Sequence, residues 1–400
     1  MDPFVATHPI FDRLTKVYGY ELAFRSGFEA YFRSAVSGRA KGEARQVFSF
    51  DDLLGPARAY VVFPPKLLMA DPMLLAPPET LTIGVPADTS ADEKVLGGCK
   101  RFKDAGCHIG IEGFRMDHLD SRFLDFADVV RVDSVNATAD EQKTICEELP
   151  SRGIRPLARG VDTGEAFDTA SEAGYWYFQG DFFRQPVLRP GKEVSANKLT
   201  FLQVLDKVNQ PELAYDDLEA LIKQDVSMTY RLLRFLNSAW FGLRHTVSSI
   251  RQALVLLGPA EVRIWASMLV LSDMGQDKPN ELFRRSLIRA KALEALANVI
   301  KMERQKSHLF LVGMFSLVEA LTDIPIARVL DGLPLNENVK DALLGKPCPL
   351  RTVLEAIEQY EMGKWKAFSQ SAGSLGLDEY VMPTVFRAAS KWADDALSAI

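Results

Sequence analysis

Short apolar runs punctuate the first 187 residues: FVATHPIF (4–11), VYGYELAF (17–24), AYVVF (59–63), LTIGV (81–85), HIGIEGF (108–114), DVVRVD (128–133), RPLARGV (155–161) and YWYFQG (175–180). Several are rich in Val, Ile and aromatic residues, as strands buried on both faces should be. Stretches with helical spacing lie between them, for example Leu119–Phe126 and the segment after Asp162. Eight strands alternating with helices predict a parallel barrel or a doubly wound sheet. Only DRLTK joins the first two runs, too little for a helical crossover. They are therefore expected to form an antiparallel hairpin, which makes the barrel irregular.

RQPVLRPGKEVSANK (184–198) carries two prolines, a glycine and several charges, the composition of a connection. Beyond it helical periodicity takes over. Asp225 is placed to cap a helix in which Met228, Leu232 and Leu236 stack. Ser248 or Ser249 precedes Ile250, Ala253, Leu254 and Leu257, and Gly258 stops that helix. Pro259 opens the next, with Val262, Trp265, Ala266 and Leu269 on one face. LFLVGMFSLVEAL (309–321) is apolar nearly all round and predicts a central buried helix. The expected organisation is an α/β domain over 1–187, a linker over 188–198 and an all-helical domain over 199–400.

Composition narrows the class. Of 400 residues, 47% are hydrophobic and 25% charged, which excludes global disorder. Fifty-three acids against 47 Lys and Arg give a net charge of −6, so the surface as a whole is not a phosphate-binding patch. The four cysteines, Cys99, Cys107, Cys146 and Cys348, form no C-x-x-C pair and argue against a disulfide framework or thiolate zinc site. Nothing near Met1 has the form of a secretory signal, and no apolar stretch is long enough to span a bilayer. A cytoplasmic protein with no membrane partner is the expectation.

Two stretches carry a family resemblance. Residues 4–25, FVATHPIFDRLTKVYGYELAFR, resemble the opening of the EAL domain in EAL–HDOD fusion proteins, with Glu21-Leu22-Ala23-Phe24-Arg25 in the place of E-A-L-x-R. Residues 225–258, DVSMTYRLLRFLNSAWFGLRHTVSSIRQALVLLG, resemble the HDOD core, with Asn237, Ser238, Phe241, Gly242, Ser249, Leu257 and Gly258 as its signature. The resemblance implies a TIM-like (β/α)8 EAL barrel, of a family that hydrolyses cyclic di-GMP with two metal ions, followed by an all-helical HDOD domain in a bacterial signalling protein.

Two-metal hydrolysis needs several carboxylates and neutral oxygen donors at strand ends. Carried over position by position, the family motifs are thinned. Glu21 keeps the opening glutamate. Val62, in Val61-Val62-Phe63-Pro64, stands where the asparagine ligand belongs. Gly84 replaces a glutamate. The paired aspartates match Glu112-Gly113, so one acid survives and the other is gone. K-x-D becomes Arg131-Val132-Asp133, and E-G-V-E becomes Arg159-Gly160-Val161-Asp162, setting a cation where a water-orienting carboxylate belongs. Q-G survives as Gln179-Gly180, followed by Pro186. A guanidinium beside a divalent cation is repelled by several kcal/mol at low effective dielectric. These losses imply a degenerate phosphodiesterase domain with no catalytic residues, no metal and no cofactor. Glu21 with Arg131 or Arg159 is an internal ion pair on the same reading.

An HD-type metal site needs an adjacent His-Asp pair and further histidines. None of His8, His108, His118, His245 and His308 precedes an aspartate. Asn237 and Gly242 read as a capping residue and a turn glycine, Arg231, Arg234, Arg244 and Arg251 as a solvated face, and Trp265 and Trp365 as core anchors. Tyr360-Glu361-x-Gly363-x-Trp365 reads as packing for a late helix.

The expected function is a regulatory protein without enzymatic activity that acts on signalling partners through protein–protein contact, with homodimerisation open and nucleic acid disfavoured. Two alternatives stay open. One is a sensor that binds cyclic di-GMP or another nucleotide through Arg25, Arg131 and Arg159 without hydrolysis. The other is a residual phosphodiesterase dependent on Glu21, Glu112 and Asp133.

Overall fold

In the computed structural model each of the eight apolar runs forms a strand. The structure describes residues 4–27, 29–30, 51–69, 78–115, 121–187, 249–331, 333 and 335–399, with 219, 222, 230 and 232–234. The strands are β1 (Val5–Asp12), β2 (Val17–Phe24), β3 (Arg58–Val62), β4 (Leu81–Val85), β5 (His108–Ile111), β6 (Val129–Asp133), β7 (Arg155–Arg159) and β8 (Tyr177–Gln179). They close into a barrel in sequence order.

β2 through β8 pair in parallel, whereas β1 is antiparallel to both neighbours, with Phe11 opposite Phe178 at the closure. The hairpin expected from the five-residue connection is present. Its turn is held by Asp12, whose Oδ1 accepts from the backbone N–H groups of Leu14 and Lys16 at 2.8 and 2.9 Å. Burial on both faces explains the apolar runs: all five residues of β4 are buried.

Among the described residues, besides a single turn at Asp51–Leu54 ahead of β3, three helices cross between parallel strands: α1 (Glu93–Asp104), α2 (Ala139–Ser151) and α3 (Gly164–Ala173). Each starts at a side chain that accepts from first-turn N–H groups: Asp92, Thr138 in a reciprocal capping box with Glu141, and Thr163. Gly174 (φ 106°) ends α3 in the left-handed conformation. The helix expected over Leu119–Phe126 is, among the described residues, a 3₁₀ turn at Ser121–Asp125. Its apolar residues need only one turn to bury Phe123 against the barrel.

The later region is helical, as expected. α4 (Ile250–Met274) begins at Ser249, whose hydroxyl accepts from the Gln252 N–H at 3.2 Å. It is interrupted at Gly258 (φ 73°, ψ 169°), the predicted stop, and Val262, Trp265, Ala266 and Leu269 beyond it are buried. α5 (Asn280–Val299) packs against α6 (Lys306–Phe315) so closely at Gly313 that a Cβ there would meet the Ala290 backbone. The single helix expected over 309–321 divides into α6 and α7 (Val318–Thr322), both largely buried. The break falls at Ser316-Leu317, where the Ser316 hydroxyl turns back onto the Gly313 carbonyl at 2.7 Å. α8 (Ile326–Asp331), α9 (Glu337–Leu343), α10 (Pro349–Glu361), α11 (Trp365–Ser374) and α12 (Met382–Ala399) complete the chain. The linker 188–198, the Asp225 cap and its partners Met228 and Leu236 lie outside the described residues; Leu232 is buried.

The chain divides into two compact units. One joins residues 1–185 to 358–369 and 379–384; the other takes the remainder. Within the barrel unit, the ring of Phe4 meets Tyr360, Trp365 and Tyr380 at 6.3, 6.4 and 5.8 Å between centroids. No helix of the described residues is long and apolar enough to cross a membrane.

Candidate functional site

Parallel strands direct their C-terminal ends to one mouth of the barrel, and there the polar residues of β2, β6 and β8 converge with the first residue after β5. Arg131 is the hub. It lies on β6 with only 2% of its surface exposed. Its Nη1 donates to Glu21 Oε1 and Glu112 Oε2, both at 2.9 Å. Its Nη2 donates to Glu21 Oε2 at 2.6 Å and Gln179 Oε1 at 2.5 Å. Gln179 in turn donates through Nε2 to Glu21 Oε2 at 2.9 Å, and the Tyr60 hydroxyl donates to Glu112 Oε1 at 2.5 Å. The planar guanidinium fork suits this arrangement, since a lysine ammonium presents no bidentate edge.

The charges reinforce one another. Burial alone would raise the Glu21 carboxyl, but the attraction and hydrogen bonds of Arg131, helped by His8 and Gln179, hold it down at about 2. For Arg131 burial favours the neutral form, and Glu112 and Glu21 outweigh it, so its pKa is raised. The Tyr60 phenol is pushed well above its usual value by burial and by the charge of Glu112.

Above this floor lies a cavity of about 290 Å³ whose rim includes His8, Arg159, Asp162, Asp181 and Arg184. Asp162 Oδ1 accepts from the Asp181 N–H at 2.9 Å, and Arg184 pairs with Asp181 at 3.4 Å and Glu361 at 3.8 Å. Arg159 is exposed, and its guanidinium has no acceptor among the described residues.

The sequence-derived positions therefore separate into groups. Glu21, Glu112, Arg131 and Gln179 meet in one network; of the two arginines proposed to pair with Glu21, Arg131 does so and Arg159 stands on the rim with Asp162. Asp133 is exposed and turned back on its own loop, accepting from Asn136 Nδ2 at 2.7 Å. With Gly113 and Arg115 it lines a separate cavity of about 520 Å³. Arg25 is in neither cavity: it pairs with Glu379 at 3.0 Å and donates to Ser369 at 3.1 Å. Val62 is half-buried at the end of β3. Gly84 is explained by its neighbours, because a Cβ there would lie 2.9 Å from the Tyr60 ring and 3.1 Å from Glu112 Oε1. Tyr60 is the member of the network that sequence reasoning missed. The available signal was a tyrosine at an inward position of a strand whose other residues after Arg58 are Ala and Val.

These donors do not fit a pair of divalent cations. Both carboxylates of the floor, Glu21 and Glu112, are engaged by a guanidinium, and the described residues contain no group of three or more His, Cys, Asp or Glu able to hold a metal ion. Of the histidines, His8 stands on the rim and His108 contacts the Tyr18 hydroxyl through Nδ1 at 3.2 Å. In the HDOD signature Ser249 caps α4, Leu257 is buried and Gly258 makes the interruption. Asn237, Ser238, Phe241 and Gly242 lie outside the described residues, as do Arg231 and Arg244. Arg234 donates to the Ser398 carbonyl at 2.6 Å and Arg251 pairs with Glu219 at 3.5 Å.

Comparison with known proteins adds the following. The HDOD domain family matches residues 198–322. A Vibrio cholerae protein named cyclic di-GMP phosphodiesterase CdgJ is 30% identical over 98% of this chain and 92% of its own length. The Bacillus subtilis protein YuxH is 29% identical over 95% of each chain. Among solved structures, the calcium/cyclic di-GMP complex of BlrP1 from Klebsiella pneumoniae aligns with 45% of this chain and 55% of its own, at 18% identity and a TM-score of 0.37.

The expectation of a chain without enzymatic activity is corrected by the first of these relatives, which is named for an enzyme and matches nearly the whole sequence. Physically, counting lost ligand types joined only Glu21 to an arginine and did not connect the other remaining groups. The structure instead gathers Glu21, Glu112, Arg131, Gln179 and Tyr60 into one connected polar floor.

Proposed function

We propose that this chain, which belongs to the family of EAL–HDOD fusion proteins, acts on cyclic di-GMP at the mouth of its barrel. The observation that carries the reading is the exposed Arg159 guanidinium, without an acceptor among the described residues, on the rim of a polar cavity at the C-terminal end of the parallel strands. A guanidinium in that position suits a phosphodiester oxygen, and the mouth of a barrel is where such sites collect. The relative's name selects cyclic di-GMP among phosphodiesters.

The reaction is hydrolysis. One water adds to phosphorus, one P–O bond breaks, and a linear dinucleotide with a terminal phosphate results. In this reading Arg159 holds the phosphate, and Asp162, exposed on the rim, takes the proton of the attacking water and returns one to the leaving oxygen. Calorimetry and product chromatography on the full chain with cyclic di-GMP test the proposal. The expected result is saturable binding, weakened at least tenfold in Arg159→Ala, together with slow appearance of the linear dinucleotide. Neither heat nor product would overturn it.

A further inference from the structure

We infer that Arg131 is a permanent internal cation that closes the floor of the barrel mouth to divalent metals, so that cyclic di-GMP is engaged there without Mg²⁺ or Mn²⁺. The inference rests on the proposal that the mouth is a cyclic di-GMP site, and it concerns what neutralises that site's acids.

Three observations carry it. The first is saturation. Both oxygens of Glu21 accept from Arg131; one oxygen of Glu112 accepts from Arg131 and the other from Tyr60; the Gln179 carbonyl is also taken by Arg131. A hard cation that wants about six oxygen ligands at about 2.1 Å finds each of these oxygens already holding a donor and must approach the guanidinium to share one. It must also displace a like charge from a site almost closed to solvent, where screening is weakest. The second is space. Gly84 sits against Tyr60, Glu112 and Val62, and a Cβ there would lie 2.9 Å from the buried Tyr60 ring, so a residue bearing a carboxylate would require that ring to move. The third is the fate of the remaining acids. Asp162 accepts from the Asp181 backbone, Asp181 pairs with Arg184, and Asp133 turns into its own loop. Among the described residues, no bond turns any of these three onto the Arg131 network.

Manganese alone, followed by electron paramagnetic resonance on the full-length protein, is the direct probe. Millimolar Mn²⁺ is expected to remain free in the wild type, and Arg131→Ala, which releases Glu21 and Glu112, is expected to bind it at least tenfold more tightly. Should that variant fail to fold, Arg131→Gln retains amide donors without the charge and is expected to show the same gain. Stoichiometric Mn²⁺ in the wild type that disappears in Glu21→Ala would overturn the inference, as would folded Arg131 variants that gain no affinity. Calorimetry with cyclic di-GMP is expected to give the same affinity with and without EDTA; heat abolished by EDTA would also overturn it. No heat in either condition would remove the proposed function instead, and the manganese results would still decide the role of Arg131.

Discussion

Glu21 concentrates the electrostatics of the mouth in one titratable group. Its carboxyl titrates at about 2 rather than its ordinary 4.5 because Arg131 and Gln179 bind the charged form. A carboxyl whose folded value is depressed stabilises the fold above the unfolded value and loses that contribution as pH falls through the folded one. The window here runs from pH 4.5 down to about 2, and the depression is equivalent to about 3 kcal/mol. Glu21→Gln is therefore expected to lower stability at pH 7 by up to about 3 kcal/mol, since it leaves Arg131 short of a countercharge. The gap from wild type should narrow as pH drops through that window. Urea denaturation at a series of acid pH values measures it, and a gap independent of pH would refute the assignment. Glu21, Arg131, Glu112 and Gln179 were legible because motif positions and side-chain chemistry point to the same mouth. Tyr60 was not: an aromatic in an apolar strand reads as core, and only the barrel's curvature brings its hydroxyl to Glu112.

At the scale of the element, β5 shows how a strand makes room for that hydroxyl. Gly110 faces the interior, and a Cβ there would lie 2.8 Å from Tyr60 Cζ and closer still to its hydroxyl oxygen. Gly110→Ala must push a fully buried ring aside and break its bond to Glu112, at a cost of about 1–3 kcal/mol. Because the nearest atom is the hydroxyl, the same substitution is expected to cost less in a Tyr60→Phe background. Equal costs in the two backgrounds, read from urea midpoints, would show that the close approach does not govern this strand. Strands of this barrel were readable because burial on both faces leaves an unbroken apolar run, and Ser249 and Gly258 mark their helix through capping and through a φ of 73°. The segments 119–126 and 309–321 were harder for one reason: apolar spacing reports that residues are buried but not where the backbone turns. A single Ser316 hydroxyl directed at the Gly313 carbonyl accompanies the break between α6 and α7.

Across the whole molecule, the barrel unit is assembled from pieces far apart in sequence. Phe4, just ahead of β1, packs tilted or edge-on among Tyr360, Trp365 and Tyr380, and Arg25, just after β2, reaches Glu379 at 3.0 Å and Ser369, 344 positions away. The family resemblance reads Tyr360 and Trp365 as packing residues, yet no local pattern says that their partner lies at the other end of the chain. The ion pair is partly exposed and contributes at most about 1 kcal/mol. The aromatic cluster is the stronger tie, and the edge-on contact of Phe4 with Trp365, 6.4 Å between centroids at 90°, is worth about 0.5–1.5 kcal/mol beyond area. A double-mutant cycle of Phe4→Ala and Trp365→Ala in the full chain is expected to show a coupling of that size, with each single variant unfolding at lower urea. Additive losses would mean that the two rings stabilise the unit separately. A measured coupling would mean instead that β1, which carries His8 to the rim of the cavity, owes part of its stability to residues 358–384, so that a barrel cut from the chain before them is a weakened one.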